Sequence, residues 1–178
     1  MTKRKLIFYI ACSLDGYIAK PNDNLDFLNI VQREGEDYGY GEFIASVDTV
    51  ILGRKTYDWV VGHGYGFPHT DKESYIITRQ SKPREGNLIF YNGDLRKLVF
   101  DLKSKSGKNI FCDGGAEIVN LLLRDKLFDE LIISIIPILV GDGVKLFKDV
   151  RPEQELELVS AKKFDSGLVQ LHYRIKTV

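Results

Sequence analysis

Two places in the chain combine residue types in a way that suits phosphate chemistry. In each, an apolar run ends in glycine and a helical pattern begins. The first is Gly53-Arg54-Lys55-Thr56 after Thr49-Val50-Ile51-Leu52, and the second is Asp113-Gly114-Gly115-Ala116-Glu117 after Asn109 to Cys112. The first turn of a helix exposes unpaired N–H groups and the positive end of its dipole, so it attracts anions. Gly53 and Gly115 lack a Cβ and let the backbone approach a ligand closely. Arg54 and Lys55 add charge at the first junction, and the Thr56 hydroxyl adds a donor. Two such junctions suggest a ligand with separated phosphates, such as a dinucleotide, although Gly-Gly after a strand also serves as a plain tight turn. Neither junction has Gly-x-Gly-x-x-Gly or Walker spacing, which argues against an NAD Rossmann domain and against an ATPase.

Other chemistries find little support. The three histidines are His63, His69 and His172; a His63/His69 metal pair is one reading, and loop histidines without metal is the plainer one. No Gly-x-Ser-x-Gly elbow or His-Glu-x-x-His helix occurs. Cys12 and Cys112 cannot supply the Cys-x-x-Cys of a zinc deaminase, and each sits in an apolar stretch as a small buried hydrophobe would. No metal is expected.

The elements that must position these residues follow from periodicity and turn signals. Leu6 to Ala11 reads as a buried strand closed by the Asp15-Gly16 turn. A polar loop over 20–24 precedes a short helix over Leu25 to Val31, and a second helical stretch near Gly41 to Ser46 leads into the strand at Thr49. After Gly53 a helix runs to about Val61, followed by a loop over Gly62 to Pro68. Strands follow at Ser74–Thr78 and Asn87–Tyr91. Asp94 is placed to cap a helix whose Leu95, Leu98, Val99 and Leu102 share one face. Ala116–Arg124 is the next helix. The run Glu130 to Val140 reads as strand, with Pro137 marking an edge, bulge or bend. Strands at Leu156–Phe164 and Val169–Lys176 are joined by Asp165-Ser166-Gly167 as a hairpin. Strands alternating with helices imply parallel neighbours, and the closing pair implies an antiparallel edge. The expectation is one α/β domain spanning 1–178.

Composition bounds the partners. Lys plus Arg and Asp plus Glu are both 25, so the overall field carries no nucleic-acid footprint. Lys3-Arg4-Lys5 before an apolar run imitates a secretory signal, but a buried first strand accounts for the same residues. No run approaches the length of a membrane span. A cytoplasmic protein is expected. The long apolar run Leu131–Val140 and the balanced charge suggest a homodimer.

Read in order, Ser13-Leu14-Asp15-Gly16-Tyr17-Ile18-Ala19, Leu52-Gly53-Arg54-Lys55-Thr56-Tyr57 and Asp113-Gly114-Gly115-Ala116-Glu117 resemble the dihydrofolate reductase superfamily. The closing Pro137-Ile138-Leu139-Val140-Gly141-Asp142-Gly143 with Leu146-Phe147 narrows the resemblance. It points to the reductase half of the bifunctional riboflavin-biosynthesis deaminase–reductase and its stand-alone relatives. The resemblance implies a central, mostly parallel eight-stranded mixed sheet with helices on both faces, binding NADPH. It implies that Gly53, Arg54, Lys55 and Thr56 hold the pyrophosphate and that Thr78 and Arg79 meet the adenosine 2′-phosphate. Asp113, Gly114, Gly115, Ala116 and Glu117 would form the second phosphate turn beside the nicotinamide, which Ala11 and the loop Leu14 to Ile18 would cover.

The implied activity is hydride transfer to a pyrimidine, pteridine or related heterocycle, 5-amino-6-(5-phosphoribosylamino)uracil being the concrete candidate. The alternatives are a true dihydrofolate reductase and a non-catalytic dinucleotide or metabolite binding module. Reduction of a carbonyl or imine needs a proton, and Asp26 and Asp15 are the candidates. Asp26 reads equally as a helix-start residue, and Asp15 as a turn residue. Tyr57 and Phe67, with Trp59 and Tyr65, would line a flat pocket or simply pack. The Met-Pro-Trp and Leu-Pro-x-Asp surroundings of true dihydrofolate reductases are missing, and no arginine is assignable to a folate glutamate tail.

Overall fold

In the computed structural model, which describes residues 3–64, 66–80, 82–148 and 151–176, the first apolar run forms β1 (Leu6–Ser13). Its alternation divides the interior. Leu6, Phe8 and Cys12 enter one core, and Ile7 and Tyr9 meet another on the opposite face. The further strands of this sheet are β3 (Val47–Gly53), β4 (Glu73–Ile77), β5 (Leu88–Tyr91), β6 (Asn109–Gly114), β7 (Glu130–Ile136), β9 (Leu156–Lys163) and β10 (Val169–Ile175). The order is β5-β4-β3-β6-β1-β7-β10-β9, eight strands in all. From β5 to β7 neighbours run parallel, and β10 is antiparallel to both β7 and β9. A separate two-stranded piece pairs β2 (Tyr17–Ala19) with β8 (Val144–Lys145).

Helices cover both faces. α3 (Leu95–Ser104) begins at Asp94, whose carboxylate accepts the Lys97 N–H at 2.6 Å, and it buries Leu98, Val99 and Leu102. α4 (Ala116–Arg124) buries Ile118, Val119, Leu122 and Leu123 in the same core as Leu6 and Phe8. Burying one such side chain fully stabilises by about 1.5–3 kcal/mol. α1 (Tyr40–Ala45), through Phe43, and α2 (Arg54–Gly62), through Tyr57, pack on the other face. The expected short helix over 25–31 is a 3₁₀ turn, Asp26–Val31, whose Phe27 and Val31 cluster with Ile136 and Leu168.

The apolar run from Glu130 is explained by burial, because β7 lies between β1 and β10 and ends just before Pro137. Beyond Pro137 the same run surfaces at Leu139, which is 70% exposed, and further exposed apolar residues lie on the edge strand β9, at Leu156, Leu158 and Val159. Cys12 and Cys112 are free and buried, and desolvation lifts their thiols to about 11 and about 12, so both stay protonated near neutrality. No helix among the described residues is long and apolar enough to cross a membrane.

Candidate active site

β3 and β6 are parallel, hydrogen-bonded neighbours, so the two glycine junctions reach the same edge of the sheet. α2 departs from Gly53 on one face and α4 from Gly115 on the other. The junctions touch. A Cβ on Gly53 would lie 3.1 Å from Ile118 Cγ1 and 3.7 Å from Gly115 N, and one on Gly115 would lie 2.7 Å from the Thr56 hydroxyl. Neither helix has a side-chain cap on its first turn, unlike α3. The separated phosphates expected from the sequence thus become a single cradle, suited to phosphates joined to one another.

Cations lie on the β3-to-β5 side of this cradle. Arg54 pairs with Asp58 through Nε at 2.6 Å, and its guanidinium lies 5.7 Å from the centre of the Phe90 ring. Lys82, which the motifs did not suggest, places Nζ 5.2 Å from the same ring. Lys55 is exposed. Thr78 and Arg79 follow β4, the strand beside β3, and the Thr78 N–H donates to Tyr91 O at 2.9 Å. Ala116 is buried in the first turn of α4, with Glu117 exposed next to it.

Asp113 stands at an irregularity. Ile51 of β3 opposes Cys112 and Leu52 opposes Gly114, so Asp113 is the extra residue of a bulge, a device that re-aims a side chain. Gly114 follows at φ +107°, a conformation suited to glycine, and the Gly114–Gly115 peptide is cis. The Asp113 carboxylate accepts from His69 Nε2 at 3.1 Å. His69 is only 2% exposed and meets the rings of Phe67 and Phe111 edge-on at 5.5 and 5.8 Å. His63 is engaged elsewhere, stacking on Trp59 at 4.2 Å, so the structure separates the two loop histidines. Tyr57 and Phe67 lie 5.5 Å apart and pack over the second core beside the cradle. Tyr65 lies outside the described residues.

Across β1 from the cradle, and on the same face as Tyr9, is a cavity of about 350 Å³. Tyr9 and Ala11 contribute from β1, Asn29 and Gln32 from the 3₁₀ region, and Asp37 and Tyr40 from the segment that follows. Beneath it, the amide nitrogen of the buried Gln170 lies 3.0 Å from Tyr9 Oη and 3.1 Å from both Ser134 Oγ and Tyr38 O, three acceptors that share its two N–H groups. Tyr9 stacks on Phe43 at 4.7 Å and meets Tyr40 edge-on at 5.6 Å. Burial, then the charge of Asp113 and the Tyr9 hydroxyl, push the Tyr40 phenol up to about 12. Tyr40 therefore belongs to the cavity and also feels the carboxylate at the end of β6.

The two nominated proton donors are placed differently. Asp26 pairs with Lys20 Nζ at 2.7 Å and is not among the cavity-lining residues, although Leu28 and Asn29 of the same turn are. Asp15 accepts from the Ser13 hydroxyl at 2.5 Å and from the Val140 and Gly141 N–H groups at 3.0 and 2.7 Å. Led by the Ser13 bond, these hold its carboxyl down to about 2, so it stays ionised near neutrality and clamps the loop after β7. Glu36 and Asp37 at the cavity and Asp113 beside Tyr40 are carboxylates that sequence reading did not single out for proton chemistry. No spacing rule marks them: Asp113 meets His69 across 44 positions, and Glu36 and Asp37 accept from nearby backbone N–H groups as any turn carboxylate does.

Comparison with known proteins identifies the family. The model of the RibD C-terminal domain family matches residues 4–170. YwjB of Bacillus subtilis (strain 168), an uncharacterized protein, is 41% identical over 96% of this chain and 98% of its own. A crystal structure from Shewanella sp. PV-4, described as a riboflavin biosynthesis protein, superposes with a TM-score of 0.88 at 28% identity, covering 97% of this chain and 99% of that one. The deaminase/5-amino-6-(5-phosphoribosylamino)uracil reductase of Thermotoga maritima shares the fold, with a TM-score of 0.73 at 13% identity; the match covers 98% of this chain and 57% of that one. The fold is thus that of dihydrofolate reductase-like reductase domains, and the chain belongs to the RibD C-terminal domain family.

Proposed function

We propose that this protein is an NADPH-dependent reductase that delivers hydride to a pyrimidine, pteridine or related heterocycle. The observation that carries the reading is the joined pair of uncapped helix starts at Gly53 and Gly115, lying one strand away from a separate cavity that reaches Ala11. A Cβ on Gly115 would crowd the Thr56 hydroxyl and one on Gly53 would press on Ile118, so the two glycines let the junctions lie close together, an arrangement that suits a closely approaching pyrophosphate. Gly53, Arg54, Lys55, Thr56, Gly114 and Gly115 would hold that group. Thr78 and Arg79 would meet the adenosine 2′-phosphate, because a dianion rewards cations. Ala11 and the turn 14–18 would cover the nicotinamide, with Asp113, Ala116 and Glu117 on its other side. The cofactor, when bound, supplies the hydride. The chain itself orients the substrate against Tyr9 and Tyr40, excludes water, and supplies the proton route.

For the proton we assign a water held by the Asp113 carboxylate, with His69 as the residue that positions that carboxylate. His69 fixes the carboxylate from a buried, aromatic-walled site, and Tyr40 links it electrostatically to the cavity. Membership of the RibD C-terminal domain family, and likeness to the Shewanella protein named for riboflavin biosynthesis, support a reaction of this type. Two buried, protonated thiols suit a cytoplasmic setting. A homodimer stays within the proposal, supported by the exposed apolar side chains of β9; light scattering of the purified protein at a monomer mass would remove it.

The test is a calorimetric titration with NADPH and, separately, NADH, followed by single-turnover absorbance with a heterocycle panel. Binding of NADPH tighter by about tenfold, a difference of about 1.4 kcal/mol, is expected, with cofactor oxidation on mixing. Absence of binding by either nucleotide would sink the reading.

A further inference from the structure

The reductase reading leaves open which heterocycle enters the cavity. Resting on that reading, we infer that the ligand is an uncharged, amino-bearing ring system that carries neither a phosphate nor a carboxylate. In that reaction it is the substrate.

The walls decide this. Glu36 and Asp37 are the charged residues among those described as lining the cavity, and no Lys, Arg or His joins them. The residues outside the described set are Met, Thr, Tyr, Ser, Asp and Val, so none of their side chains adds a cation. The cations nearest in sequence are engaged. Arg33 folds back onto the carbonyls of Ile30 and Gln32 at 3.2 and 2.8 Å, and Lys20 is paired with Asp26. An anionic substituent would leave water for a mouth that already carries two negative charges and offers no ion partner.

The hydrogen-bonding capacity points the same way. Glu36 accepts one N–H, from Tyr38 at 2.7 Å, and Asp37 accepts from Gly39 and Gly41 at 2.8 and 3.0 Å. Each carboxylate has further lone pairs to offer a ligand. The amide N–H groups of Gln170, in contrast, are committed to protein acceptors. The two carboxylates recognise donors, as exocyclic amino groups and ring N–H groups are, while the amides of Asn29 and Gln32 can serve as either partner. The Tyr9 and Tyr40 rings supply flat apolar surface beside them. A volume of about 350 Å³ lies at the small end of ligand sites, enough for one or two fused rings. The phosphoribosyl pyrimidine considered above and folate with its glutamate tail both carry anions that these walls do not accommodate.

A matched pair tests the inference: 2,4-diamino-6-(hydroxymethyl)pteridine and 2,4-diaminopteridine-6-carboxylate. Their dissociation constants are measured by calorimetry on the intact protein, with and without saturating NADPH. The neutral compound is expected to bind at least about tenfold more tightly. Glu36→Lys, at an exposed position, should shrink or invert that ratio, and Glu36→Gln should move it in the same direction by less. Equal or tighter binding of the carboxylate, failure of both to bind, or a ratio untouched by Glu36→Lys would overturn the inference. Neutral preference in a protein that binds no NADPH would uphold the cavity's selectivity and sink the reductase reading, so the two failures are distinguishable.

Discussion

The cradle at the ends of β3 and β6 and the cavity across β1 are neighbours with opposite electrical character. The cradle is built from backbone: two glycines in mutual contact and two uncapped helix starts, with Arg54 and Lys55 opening α2 and Arg79 following the neighbouring β4. The cavity is built from side chains, with tyrosines over a buried glutamine and two carboxylates at the mouth. The difference shows how one sheet edge sorts its ligands. In the proposed reading, phosphates would be drawn by N–H groups that cannot be mutated away, and a flat neutral ring would be selected by residues that can.

The harshest way to break the comparison is to fill the cradle. Gly115→Val places bulk where even a Cβ would meet the Thr56 hydroxyl at 2.7 Å. Its backbone φ of −70° suits any residue, so the fold should survive. NADPH affinity should fall by about 100-fold or more, while binding of the neutral pteridine without cofactor changes little. Calorimetry with a far-ultraviolet circular dichroism control checks this. An equal loss for both ligands would mean that the two regions are not independent.

How much of this the sequence announces differs between the regions for a physical reason. The cradle is local: each half is one contiguous strand–glycine–helix segment, and periodicity with turn chemistry identifies it. The same holds for α3, where Asp94 and the Leu95-Leu98-Val99-Leu102 stripe act within one segment. That the two halves meet is a matter of strand order, which no local signal encodes. The cavity is not local at all. Gln170 reaches Ser134 across 36 positions, and His69 reaches Asp113 across 44. Asp15 and Asp26 drew attention as acids near the first strand, yet nearby partners, Ser13 and Lys20, engage them. β2 and β8 are too short to show any alternation.

The link between the two regions is Asp113, and its positioning can be tested through His69. His69→Phe keeps an aromatic ring between Phe67 and Phe111 but removes the donor; His69→Gln keeps a donor. If the hydrogen bond positions the proton source, the Phe variant should lose between about 10- and 100-fold in kcat with KM nearly unchanged. The Gln variant should recover part of that loss, and the pH dependence of kcat should shift in both. Equal losses in the two variants with an unmoved pH profile would reduce His69 to a packing residue. A smaller effect belongs to the fringe. Arg79→Ala should weaken NADPH by about tenfold and leave NADH nearly unchanged, since only the former carries the 2′-phosphate. Equal losses for both would move the 2′-phosphate to another cation, Lys82 being the next along this edge.

The smallest effect is expected where a carboxylate serves structure rather than ligand. Asp15 joins the turn after β1 to the loop after β7 through Ser13, Val140 and Gly141. Its folded pKa of about 2 lies below the usual 3.8, so the bonds stabilise the charged form. The sign follows from linkage: the contribution is fully present above the unfolded value and is lost as pH falls through the folded one. Asp15→Asn should therefore lower Tm slightly at neutral pH, and the gap from the parent protein should close as pH drops from about 4 towards about 2. Because the carboxylate is solvent-exposed, the gap should be small throughout. Cofactor oxidation by this variant should persist near neutrality, as a group that never carries a proton there cannot be the donor. Loss of turnover without any change in Tm would return Asp15 to the proton path and remove that role from Asp113.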